Sequence, residues 1–152
     1  MNYFWHFKDM LSKSTEYAIK ALVYLCRYGE SERVGLKDIA ASIDSPEAFT
    51  SKILQKLVKA NIIDSSKGKG GGFQIIPERK NDITVWDIVK SIEGDSLQTH
   101  CVLGLSECSS KHPCPAHEGY KLVKESFLEF FKKTSISSLA QNWEKGLGEL
   151  NY

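Results

Sequence analysis

Long apolar runs are missing from this sequence. Its most hydrophobic stretches, residues 21–26 and 127–131, fall far short of the ~20 residues that a bilayer-spanning helix needs, which excludes that class of membrane protein. A secretory leader is also missing. Residues 1–9 are aromatic (Tyr3, Phe4, Trp5, Phe7) and have neither a basic start nor an apolar core with a small-residue cleavage site. They are read as an extension outside the fold, with Met10 as the functional start. Without an export signal the chain is expected in the cytoplasm, where its four cysteines point to metal or redox chemistry rather than structural disulfides. Charge of one sign is lacking too: 20 basic side chains face 19 acidic ones, so net charge says nothing about nucleic acid. There are no internal repeats or low-complexity segments, and 152 residues are too few for two large cores.

What is present begins with a helix. Ser14 and Thr15 can cap it, Glu16 sits in its first turn, and Ala18, Ile19, Leu22, Val23, Leu25 and Cys26 recur at helical spacing before Gly29. Cys26, inside that apolar run, is assigned to core. Leu36, Ile39, Ala40 and Ile43 mark a short second helix. Ser45 as N-cap and Pro46 at the first helical position restart the chain into a third, running to about residue 60. There Phe49, Ile53, Leu54, Leu57 and Val58 form the buried stripe, leaving Glu47, Thr50, Ser51, Lys52, Gln55, Lys56 and Lys59 outside. Two short helices about a tight turn outline a helix-turn-helix.

Ile62 and Ile63 read as a strand, residues 67–72 (KGKGGG) as a turn, and Phe73 to Ile76 as the returning strand. A basic, glycine-rich hairpin after a helix-turn-helix is a wing, whose backbone approaches phosphates while Lys67 and Lys69 supply charge. Between Lys52 and Lys69 the single acid is Asp64. A nucleotide-binding phosphate loop would need a Gly-Lys-Ser/Thr ending that opens a helix, and here the glycines lead into a strand. A fourth helix follows Thr84, with Asp87 completing a capping box and Gly94 ending it. After a loop over about 95–113, a long amphipathic helix over about 115–133 carries Tyr120, Val123, Phe127, Phe130 and Phe131 on one side, widened by Leu122. So apolar a helix in a small domain calls for a partner surface, most simply its twin in a homodimer. Ile136, Leu139 and Trp143 suggest a short last helix and a frayed end. The fold class expected is mainly α with a small β wing: residues 10–94 a winged helix-turn-helix, 95–117 a cysteine loop, 118–152 a dimerisation helix and tail.

Cys101, Cys108 and Cys114 share that loop, with His117 at helical i+3 spacing from Cys114. Three thiolates so close suit an iron-sulfur cluster or zinc. Structural zinc takes paired ligands two to four residues apart, so the wider cysteine gaps lean toward a cluster. Pro115 would make Cys114 the cap of the long helix, where the helix dipole favours the thiolate. His100 and His112 are read as exposed loop residues. No oxyanion hole or substrate pocket accompanies the cysteines, which argues against an enzyme.

The sequence resembles the IscR/NsrR family of bacterial iron-sulfur transcription regulators from Met10 to about Ala140. The matching stretches are residues 11–13 (LSK) leading into 17–22 (YAIKAL), then 36–40 (LKDIA), 53–57 (ILQKL), 67–73 (KGKGGGF), 83–88 (ITVWDI) and 92–94 (IEG), followed by the three cysteines. The resemblance implies a homodimer with two winged-helix heads crossed by long C-terminal helices and a cluster near the interface, [2Fe-2S] favoured and [4Fe-4S] the alternative. In the similar homeostasis regulators a histidine after the third cysteine completes the site, and His117 stands there. The nitric-oxide sensors take an acidic side chain from the first helix of the other subunit, and Glu16 stands at that position. The reading therefore assigns Cys101, Cys108, Cys114 and His117 as ligands, with Glu16 as alternative fourth ligand. Ser45, Thr50, Ser51, Lys52 and Gln55 are expected at a DNA major groove, and Lys67 and Lys69 at adjacent backbone or minor groove of a near-palindromic operator. The rivals are a cluster-free regulator answering to thiol chemistry or a protein partner, and a zinc-stabilised interaction module.

Overall fold

The computed structural model describes residues 11–29 and 31–144. Residues 1–9 and Met10 lie outside them. Seven α-helices, one 3-10 turn (Pro77–Arg79) and one two-stranded antiparallel sheet make up the regular structure of the described residues, with the wing between the third and fourth α-helices.

Helix α1 (Lys13–Tyr28) starts two or three residues earlier than expected: Ser12 is the N-cap, its hydroxyl accepting from the Thr15 amide. Thr15 lies inside the first turn, fully buried. Its hydroxyl donates to Glu93 at 2.6 Å, a partner 78 positions away that local patterning cannot announce. The apolar face of α1, with Ala18, Leu22 and Leu25, forms the middle of the core, and Cys26 is buried there as expected.

Helices α2 (Leu36–Ser42) and α3 (Glu47–Lys59) flank a turn that needs Asp44 at φ 50°, a left-handed position open to aspartate. The expected Ser45 cap is not made. Pro46 is the N-cap, the Ser45 amide closes the turn onto the Ala40 carbonyl, and the Ser45 hydroxyl is buried. Ile53, Leu54 and Leu57 are buried as the stripe requires.

Strands β1 (Ile63–Ser66) and β2 (Gly72–Ile75) pair in the register Ile63 to Ile75 and Ser66 to Gly72. A rung unforeseen in the sequence adds Val34: its amide and carbonyl exchange bonds of 2.9 and 2.8 Å with Phe73. Gly72, at φ 139°, makes that approach feasible, since a Cβ there would stand 2.5 Å from the Val34 carbonyl oxygen.

Helix α4 (Val85–Glu93) carries the expected capping box between Thr84 and Asp87 and ends at Gly94. A single turn, α5 (Ser96–Thr99), opens the cysteine loop. Helix α6 (His117–Lys133) begins later than expected. The Cys114 carbonyl accepts from the His117 amide at 2.9 Å, so residues 114–117 form a turn with Pro115 at its second position. Cys114 is the first residue of that turn, and Ala116, not Cys114, is the N-cap of the helix. The stripe on α6 also divides: Phe131 is 5% exposed and packs on its own chain, whereas Phe130 is 57% exposed, and Leu122 and Val123 are open too. Helix α7 (Ile136–Glu144) is the expected short last helix, returning against α1 with Ile136 and Ala140 in the core, and the expected frayed end lies outside the described residues.

Candidate cysteine-loop site and nucleic-acid face

The loop between α5 and α6 folds back on itself through the Cys108 amide, which donates to the Thr99 carbonyl at 2.8 Å. This brings the four predicted ligands together as two pairs. Cys101 and Cys114 have sulfurs 3.9 Å apart, and the Cys108 sulfur lies 3.6 Å from His117 Nδ1. Metal–thiolate bonds of about 2.3 Å and metal–imidazole bonds of about 2.0–2.1 Å, at tetrahedral angles, place two thiolates on one metal about 3.8 Å apart. A thiolate and an imidazole nitrogen come out about 3.6 Å apart by the same geometry. Both pairs thus have the separation of donors sharing a metal. Among the described residues no three of His, Cys, Asp or Glu gather about one point as a single ion would require.

Burial differs within the set. Cys101 and His117 are buried, while Cys108 and Cys114 are half-exposed. Backbone amides of Leu103 and then Leu105 directed at the Cys101 sulfur, aided by Cys114 and by the charge of Lys124, hold its thiol below the usual cysteine range. His117 is engaged at both nitrogens, since Ser110 Oγ lies 3.4 Å from Nε2. With Nδ1 turned to sulfur, Ser110 faces the nitrogen that carries the proton in a metal-binding tautomer. The sequence reading passed over Ser110, because a loop serine carries no pattern. His100 and His112 are exposed, as expected.

Glu16 sits apart from this set, on the first turn of α1, with Lys13 2.5 Å from its carboxylate. Nearby, Glu93 accepts from the Ser12 amide at 2.8 Å and from the Thr15 hydroxyl, joining the start of α1 to the end of α4 next to the cysteine loop. At the loop's other side, Lys124 on α6 donates to the Gln98 carbonyl of α5 at 2.9 Å.

On the outer side of α3, Lys52, Gln55, Lys56 and Lys59 are exposed, and Gln55 reaches Ser51 at 3.4 Å. Thr50 is a correction: it is fully buried, because it lies three, four and seven residues before the core residues Ile53, Leu54 and Leu57 and shares their face. Ser45, in the turn before α3, is half-buried with its hydroxyl enclosed. Lys67 and Lys69 at the wing tip are exposed. Asp64, the one acid in this basic segment, is bonded by Arg33 at 2.5 Å. That bond, with the Ser65 amide next, holds its carboxyl below the usual carboxylate range.

These features define a winged-helix regulator, and solved structures share the fold. The global cysteine regulator CymR of B. subtilis matches with a TM-score of 0.74 at 20% identity, covering 87% of this chain and 96% of that one. T. potens IscR matches with a TM-score of 0.72 at 22% identity, covering 91% and 90%. In sequence, the chain is 33% identical over 141 residues to a predicted HTH-type transcriptional regulator of Aquifex aeolicus, covering 91% of this chain and 96% of that protein. Residues 11–142 match the model of the Rrf2 family, iron-dependent transcriptional regulators. The chain belongs to the Rrf2 family. It is a transcriptional regulator of the DNA-binding helix-turn-helix kind, not an enzyme. Among the described residues no helix is long and apolar enough to cross a membrane.

Proposed function

We propose that the chain is a homodimeric, cytoplasmic DNA-binding regulator whose grip on its operator answers to an iron-sulfur cluster held by Cys101, Cys108, Cys114 and His117. The observation that carries this reading is the pairing of the four donors at 3.9 and 3.6 Å. Two pairs suit a [2Fe-2S] cluster, in which each iron takes two protein ligands, better than a single zinc, which needs all four donors on one centre. His117 is favoured over Glu16 as fourth ligand because it already faces Cys108. When bound, the cluster supplies a centre responsive to oxidation, nitric oxide or iron supply.

The chain's own residues do the rest. Ser110 holds the His117 ring, and the amides of Leu103 and Leu105 favour the Cys101 thiolate. Ser51, Lys52 and Gln55 of α3 enter the major groove, and Lys67 and Lys69 reach the neighbouring backbone. The open face of α6 seals the dimer, so the operator is near-palindromic, with half-sites about one helical turn, ~34 Å, or a multiple of it apart. In this division residues 10–94 form the head, 95–117 the cluster loop, and 118–152 the dimerisation helix and tail, α7 folding back onto the head.

Anaerobic reconstitution of the full chain with ferrous iron and sulfide tests the reading. A brown protein with equal iron and sulfide, bleached by Cys101→Ala, Cys108→Ala or Cys114→Ala, supports it; a colourless protein that keeps its operator affinity with and without iron defeats it.

A further inference from the structure

Three cysteines can close three different disulfides, and the geometry here selects one. Cys108 faces His117, while Cys101 and Cys114, thirteen positions apart in sequence, bring their sulfurs to 3.9 Å, against a disulfide bond of about 2.05 Å. We infer that the metal-free chain holds a second, thiol-based state: a Cys101–Cys114 disulfide, formed with a low-molecular-weight disulfide as oxidant, that leaves Cys108 reduced.

The order of events follows from burial. Cys114 is half-exposed and Cys101 is buried, so Cys114 meets the oxidant first. Its thiolate attacks one sulfur of the small disulfide, the S–S bond breaks, and the departing thiolate takes a proton. The Cys101 thiolate then attacks the Cys114 sulfur of the mixed disulfide and displaces the second small thiol. Two protein thiols are oxidised, one small disulfide is reduced to two thiols, and the balance closes. The product uses two of the four proposed ligand atoms, so the oxidised chain cannot take up a metal centre until it is reduced.

Peptide mapping tests this on the full-length chain. The metal-free, fully reduced protein is treated with oxidised glutathione, quenched with N-ethylmaleimide under denaturing conditions and digested with trypsin without reductant. Cleavage after Lys90, Lys111 and Lys121 puts Cys101 and Cys108 in residues 91–111 and Cys114 in residues 112–121. The expected result is a cross-link between these two peptides with the maleimide on Cys108. A bond within 91–111, a cross-link with the maleimide on Cys101, a covalent dimer, or glutathione adducts alone would overturn the inference. Cys108→Ser is expected to oxidise like the parent, whereas Cys101→Ser stops at a single glutathione adduct on Cys114. The oxidised chain is further expected to gain no cluster absorbance until dithiothreitol is added. If the never-oxidised chain also stays colourless, the cluster reading fails while the disulfide result stands.

Discussion

Replacing Phe130 by alanine separates a helix face that meets water from one that meets a twin. Phe130 is 57% exposed in the single chain. A phenyl side chain can bury about 150–250 Å², so about 100 Å² of Phe130 is open for the second subunit of the proposed dimer to cover. At about 25 cal/mol per Å² that is about 2.5 kcal/mol per copy. A two-fold interface counts it twice, about 5 kcal/mol, or between three and four decades in the dimer dissociation constant. Association also orders side chains, and coverage at a seam is incomplete, so a loss of at least about two decades is the firmer expectation. Sedimentation velocity over a dilution series reads it directly. The neighbouring Phe131→Ala is the control: that ring is 5% exposed and inside its own chain, so its removal costs about 3–5 kcal/mol of folding stability. A Phe130→Ala protein that sediments like the parent at every concentration would refute α6 as the seam.

Four further perturbations have definite outcomes. Lys67→Ala and Lys69→Ala should each flatten the slope of log affinity against log salt by up to about 0.9, and an unchanged slope in titrations of operator DNA would remove the wing from the interface. Gly72→Ala forces a Cβ to within 2.5 Å of the Val34 oxygen at φ 139°, costing about 1–3 kcal/mol; thermal unfolding should fall by about 2–4 °C per kcal/mol, and an unchanged midpoint would contradict the wing geometry. Glu93→Ala removes the shorter of the two hydrogen bonds of the buried Thr15 hydroxyl, leaving Ser12 Oγ at 3.2 Å, and should cost about 1–3 kcal/mol in denaturant unfolding; adding Thr15→Val should recover part of it, and strict additivity would show that the pair is uncoupled. Asp64 is lowered in the folded state, so its stabilisation is present above about pH 4 and is lost as pH falls through the lowered value. Asp64→Asn should therefore unfold below the parent temperature at neutral pH and converge with it in acid.

The sequence was readable wherever a physical preference repeats. The α1 stripe, the Thr84–Asp87 box and the basic glycine-rich wing each depend on neighbours within a few positions, and each stands where it was expected. It was misread where polarity was allowed to overrule spacing. Thr50 was placed outside because it carries a hydroxyl, although its spacing to Ile53, Leu54 and Leu57 is that of the buried face. Proline decides two boundaries: Pro46 rather than Ser45 caps α3, and Pro115 builds a turn that leaves Cys114 outside α6. The ligand candidates were legible as residue types in one loop. Their division into two pairs was not, because it depends on the Cys108 amide reaching Thr99 and on a turn at Pro115. Long-range partners such as Glu93 with Thr15, or Val34 with Phe73, leave no local trace at all.

Why a change in the cysteine loop should reach α3 follows from how α4 is held. Its front end is tied to the end of α6, with the Val85 amide on the Thr134 carbonyl and the Ile136 amide on the Ile83 carbonyl, each at 2.9 Å. Its far end is tied to the start of α1, through Glu93 with Ser12 and Thr15. Between these ties α4 is a nine-residue rod with Ile88 and Val89 in the core, packed on both α1 and α3. On the proposed reading a rearranged loop would move α4 as a unit, because bending it would break a continuous ladder of backbone hydrogen bonds. The chain enters the loop through Gly94, at φ 66°, where a change of direction costs least. Such a tilt would shift the surface on which α3 packs, and α3 presents Lys52 and Gln55. On the proposed reading the regulator answers its signal to the extent that the loop's two states prefer two tilts of α4, since a centre that fits both tilts equally well shifts nothing.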